Sequence, residues 1–80
     1  IDPKSRLQEY TQEHNGMTPT YSVLSESGPD HAKTFVVEVR IGAQVLATGS
    51  GASKQAAQVS AAVKALANLT QTETSNLPSQ

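Results

Sequence analysis

Residues 49–58, GSGASKQAAQ, set two glycines ahead of a serine, one lysine and a run of alanines. Glycine before a helix start lets a backbone come close to another group, and the free N–H groups and dipole of the helix end attract anions, phosphate above all. Two familiar phosphate motifs do not fit. A P-loop needs Lys directly after its last glycine with Ser or Thr next, whereas Ala52 and Ser53 intervene here and Gln55 follows Lys54; the dinucleotide fingerprint needs a third glycine where Lys54 stands. Elsewhere the residues able to do chemistry are few. His14 and His31 have no partners at metal-ligand spacing, and neither a nucleophile with its base nor an acidic metal-binding cluster is visible. No catalysis, metal or cofactor is therefore assigned to this chain.

The elements that must position Lys54 follow from patterning. Asp2-Pro3 reads as an N-cap with proline at the first helical position, and Asn15-Gly16 as a stop, giving a helix over about residues 3–14. Leu7 and Tyr10 fall on its expected buried face; Ser5, Gln8 and Gln12 share another. TYSVLSES alternates Tyr21, Val23 and Ser25 against Ser22 and Leu24, a strand. After a loop opened by Gly28-Pro29, TFVVEVRIG sends Phe35, Val37, Val39 and Ile41 one way and Val36, Glu38 and Arg40 the other. Gly42-Ala43 makes a hairpin into QVLATGSG, and Ser53 caps a last helix running to about Leu69. Ala57, Ala61, Ala62, Ala65, Leu66 and Leu69 form its apolar stripe. The pattern predicts an α+β domain of order α-β-β-β-α, both helices packed on one face of a three-stranded antiparallel sheet. Residues 71–80 read as a disordered polar tail or linker.

Eighty residues make one small domain, near the lower limit for a self-sufficient core. The chain starts at Ile1 and is expected to be a domain cut from a longer protein, or a processed product. With no cysteine, disulfides and thiolate metal sites are excluded, which suits a reducing compartment; a cytoplasmic setting is expected. No apolar run approaches the ~20 residues of a membrane span. Asn68-Leu69-Thr70 matches the glycosylation triplet but falls inside a helix. The formal charge of −1 gives no broad basic field, so any nucleic-acid contact rests on where the few cations sit.

Three segments in this order and spacing, DPKSRLQEYTQ, GPDHAKTFVVEV and GSGASKQAAQVSAAVKAL, resemble a double-stranded RNA-binding domain over residues 2–70, most like the domain at the C-terminus of bacterial ribonuclease III. The resemblance implies duplex-RNA binding by A-form shape, across two minor grooves and the phosphates between them, about 16 base pairs. It assigns Ser5, Gln8, Glu9 and Gln12 to one minor groove, where glutamine can donate and accept and a carboxylate can accept from a 2′-hydroxyl. Pro29, Asp30, His31 and Lys33 would enter the second minor groove. Ala52, Ser53, Lys54, Gln55 and Gln58 would face the phosphates across the major groove. The chain departs from the family's pattern at Lys54-Gln55, where paired basic residues are typical, and position 58 is also uncharged. A weak binder is expected, helped by its parent protein, with the isolated domain monomeric and the parent a homodimeric nuclease.

Two rivals share these residues. Ala56, Val59, Val63 and Ala67 recur along the last helix away from its core stripe, which suits a protein-interaction or dimerisation module on the same fold. A single-stranded RNA reader would need exposed aromatics for stacking. Only Tyr10, Tyr21 and Phe35 are available, all at positions expected to be at least partly buried.

Overall fold

The computed structural model of the chain describes residues 2–75. Its elements are α1 (Pro3–Asn15), β1 (Thr20–Ser27), β2 (Thr34–Ile41), β3 (Gln44–Gly51) and α2 (Lys54–Ser75). The strands form one antiparallel sheet in the order β1-β2-β3. This is the α-β-β-β-α order expected from the pattern.

Both ends of α1 are fixed by the residues that predict them. Asp2 stays extended and its Oδ1 accepts from the Ser5 N–H at 2.9 Å, while Gly16 takes the left-handed conformation at φ 66°. The wholly buried residues of α1 are Leu7 and Thr11, one turn apart; Tyr10 is half-buried and stacks on His14. Thr11 is tolerated inside because its hydroxyl donates to the Met17 carbonyl at 2.8 Å, tying the helix exit back onto the helix.

In β2, Val37, Val39 and Ile41 are buried and Phe35 packs beside them. Alternation fails in β1, where the register shifts between Val23 and Ser25, a bulge at Leu24. Val23 and Leu24 are both exposed. The cause is position: β1 is an edge strand, and α2 packs on β3 and β2.

Helix α2 lies across the sheet through Ala57, Ala61, Ala62 and Ala65, all without exposed surface, with Leu66 and Leu69 packed alongside. α1 lies against α2 and adds Leu7 to the same core. α2 continues through Ser75, past the expected end at Leu69, because no glycine or proline interrupts the chain before Pro78. Of the predicted tail, residues 71–75 are thus helical and 76–80 lie outside the described residues. Asn68, of the glycosylation triplet, donates from its side chain to the Leu46 carbonyl at 3.2 Å, joining α2 to β3.

The glycines of GSG have a role other than phosphate approach. Gly49 and Gly51 belong to β3, and a Cβ on Gly49 would stand 2.2 Å from the Ala61 nitrogen, one on Gly51 2.8 Å from the Ala56 Cβ. They are glycine so that α2 can press its backbone onto the strand. The small alanines opposite serve the same close approach.

Candidate nucleic-acid interface

On α1, Ser5, Gln8, Glu9 and Gln12 line one shallow depression, so the structure brings these four together. Gln8, Glu9 and Gln12 are exposed and Ser5 is half-buried. Two of the four already have intramolecular partners. The Ser5 hydroxyl donates to Asp2 Oδ2 at 3.0 Å, and the Gln12 amide donates to the Thr18 hydroxyl at 2.5 Å. Hydrogen bonds from Ser5 hold the Asp2 carboxyl below its ordinary range, with the Ser5 backbone N–H the largest cause.

The second group sits on the β1–β2 loop. Gly28 has φ 91°, and a Cβ there would meet the Ala32 carbonyl oxygen at 2.5 Å, so glycine is required. The Ala32 N–H donates to the Pro29 carbonyl at 2.9 Å, closing a turn that leaves Pro29, Asp30 and His31 exposed at its tip. Lys33 is held at the base: its ammonium donates to Glu26 at 2.8 Å and stands 3.8 Å from Asp30. That bond lowers the Glu26 carboxyl below its ordinary range, and the charge of Lys54 adds a smaller pull the same way. Lys33 and, more weakly, Lys54 thus both act on Glu26.

At that start, Ser53 caps as predicted, its hydroxyl accepting from the Ala56 N–H at 3.0 Å. Lys54 and Gln55 are exposed, and the first turn carries no acidic residue. Their N–H groups belong to the turn that has no carbonyl upstream to bond, so they favour an anion. Gln58 is half-buried, and its side-chain oxygen accepts from the Lys4 ammonium at 2.5 Å. That ammonium lies 5.0 Å above the Tyr21 ring. Burial, with a smaller push from Asp2, raises the Tyr21 hydroxyl above its usual range.

Lys4 and Glu26 touch these surfaces without having been picked out from the sequence. Lys4 could have been found, since it stands one turn before Gln8 on the same row of α1. Glu26 had no local signal; only folding back of the loop sets it beside Lys33. Among the described residues no three of His, Asp and Glu stand where they could hold a metal ion, and no helix is long and apolar enough to cross a membrane. The aromatics Tyr10, Tyr21 and Phe35 are all partly buried, which gives single-stranded bases no open stacking platform.

The three candidate surfaces thus lie on a two-helix, three-strand body, the last of them at a helix N-terminus. The sequence matches the family model of the double-stranded RNA binding motif over residues 3–69, and the chain belongs to that family. It is similar to Ribonuclease 3 of a Nitratiruptor species, 52% identical over 65 residues, 81% of this chain and 29% of that protein. It is also similar to Ribonuclease 3 of Leptospira interrogans, 57% identical over 61 residues, covering 76% and 25% of the two chains. This chain therefore spans under a third of the length of these relatives. Among solved structures, the first dsRBD of protein HYL1 superposes with a TM-score of 0.69 at 35% identity, covering 86% of this chain and 97% of that one. Dicer from Pichia stipitis matches with a TM-score of 0.67 at 34% identity, over 81% of this chain and 31% of that one.

Proposed function

We propose that this chain binds double-stranded RNA by its A-form shape and serves as the substrate-binding domain of a ribonuclease III-type endoribonuclease. The match to the double-stranded RNA binding motif across nearly the whole folded span carries this reading. In it, α1 enters one minor groove through Ser5, Gln8, Glu9 and Gln12. The Pro29–Lys33 loop enters the next, and Ser53, Lys54, Gln55 and Gln58 meet the phosphates between them. Residues 2–70 act as the binding unit, and the segment after them links it to whatever follows or frees it. Cleavage belongs to the part of the protein absent from this chain, and the setting is cytoplasmic.

The test is a titration against a duplex RNA of about 20 base pairs, longer than the ~16 such a domain spans, with the same sequence as duplex DNA in parallel. RNA-selective binding is expected. Lys54→Ala should make the plot of log affinity against log salt shallower by ~0.7–0.9, the share of one phosphate contact. A folded chain that ignores RNA even at low salt would overturn the reading.

The interaction-module alternative has one observation in its favour: Val59 and Val63 are 38% and 49% exposed, as that reading requires. Single valines are common on surfaces, and the family match gives them no assigned partner. Concentration-dependent sedimentation of the chain, abolished by Val63→Ser, would move the assignment to this alternative; a monomer at all concentrations would remove it.

A further inference from the structure

The start of α2 carries one cation, Lys54, where a phosphate-binding surface would be expected to carry more. Gln58 lies one turn further along the same helix face and is neutral. Yet the point in space at the tip of Gln58 is not neutral, because the Lys4 ammonium stands 2.5 Å from its side-chain oxygen. Lys4 arrives there from α1, one turn before Gln8 and beside Ser5, with which it lines a depression between α1 and β1. Its charge therefore sits at the seam between the minor-groove face of α1 and the phosphate face of α2.

Two of the other cations are already committed to carboxylates. Lys33 is ion-paired to Glu26 and Arg40 to Glu38, whereas among the described residues no carboxylate lies within ion-pairing distance of Lys4. An ammonium has three donors, and Gln58 takes one. Tyr21 beneath it supports a cation without neutralising it. Resting on the duplex-RNA reading, we propose that Lys4 is an RNA-binding residue, supplying across the helix pair the phosphate cation that α2 lacks at Gln58. Tyr21 and the side-chain oxygen of Gln58 then hold the ammonium at the rim of the minor groove, where phosphates flank it, while the amide N–H groups of Gln58 keep its own phosphate contact.

The competing role is a plain tether between α1 and α2, and salt dependence separates the two. Affinity for a duplex RNA of about 20 base pairs is measured from ~50 to ~200 mM salt for the unaltered chain, Lys4→Gln, Lys4→Gln/Gln58→Lys and Gln58→Glu. Lys4→Gln should lower the slope by ~0.7–0.9 and the affinity about five- to eightfold near 0.1 M salt, the share of one released counterion. The double variant returns the charge to nearly the same point from α2 and should restore the slope. Gln58→Glu neutralises Lys4 while keeping its stem in place, so it reports the same loss even if Lys4→Gln unfolds. An unchanged slope in folded Lys4→Gln or Gln58→Glu, whatever the affinity, overturns the proposal and leaves Lys4 a tether. If the unaltered chain shows no duplex-RNA binding, it is the functional reading itself that falls, and this proposal with it.

Discussion

Glu26 shows how one side chain can occupy a cation that a sequence scan would count as free. Its carboxylate takes a hydrogen bond from Lys33 and feels Lys54. In the folded chain its acidity is therefore raised, so the pair stabilises the fold above the ordinary carboxyl value of 4.5. That contribution is lost as pH falls through the lower folded value. Glu26→Gln should flatten the acid limb of the stability curve, measured as the urea midpoint between about pH 5 and pH 3. The same substitution releases Lys33 from the contact that, on the proposed reading, it would exchange for a phosphate. RNA affinity should then rise by ~1.5- to 5-fold at neutral pH, the scale of one exposed ion pair. A fall in affinity would mean that Glu26 orients the loop rather than competing with RNA.

At the scale of elements, the β3–α2 contact makes the sharpest claim. If Gly49 served a phosphate, adding a methyl there would weaken binding and leave stability alone. The structure requires the opposite, because that methyl would run into the backbone of Ser60 and Ala61. Gly49→Ala should cost about 1–3 kcal/mol, which for a domain this small lowers Tm by roughly 5–20 °C. Below the transition the salt dependence of RNA binding should be unchanged. A calorimetric scan with parallel titrations decides it, and an undiminished Tm would return Gly49 to the phosphate reading. The same comparison shows what sequence can reveal about elements. The Asp2 and Ser53 caps, the Gly16 stop, the alternation of β2 and the alanine stripe of α2 are local patterns, and each stands where its residues place it. The bulge in β1 and the burial of Thr11 depend on what packs above them, so period alone does not give them. The Lys4–Gln58 bond joins residues 54 apart in sequence and exists only because α1 and α2 dock. The candidate site reads from the sequence as three segments; how they join does not.

For the whole molecule, charge is the limiting quantity. A net charge of −1 gives no long-range attraction to a polyanion, so binding must come from a few cations placed at the interface. On the proposed reading Lys54, Lys4 and a released Lys33 give a slope of about −2 to −3 in log affinity against log salt, and binding of modest strength. A protein limited in this way gains more from a second copy than from better contacts. A parent carrying two of these domains would convert the second encounter into an intramolecular one, worth ~10²–10⁴ in avidity when both can reach one duplex. Joining two copies of this chain by a flexible linker should therefore tighten binding to a duplex long enough for two sites, about 32 base pairs or more, by at least ~10²-fold. The salt slope should double at the same time, since twice as many counterions are released. On a duplex of about 16 base pairs, with room for one domain, the linked and single chains should differ by little more than the statistical factor of two for equivalent domains. Tighter binding without the doubled slope would point to contact between the two copies, and then Val59 and Val63 are the surface to substitute next.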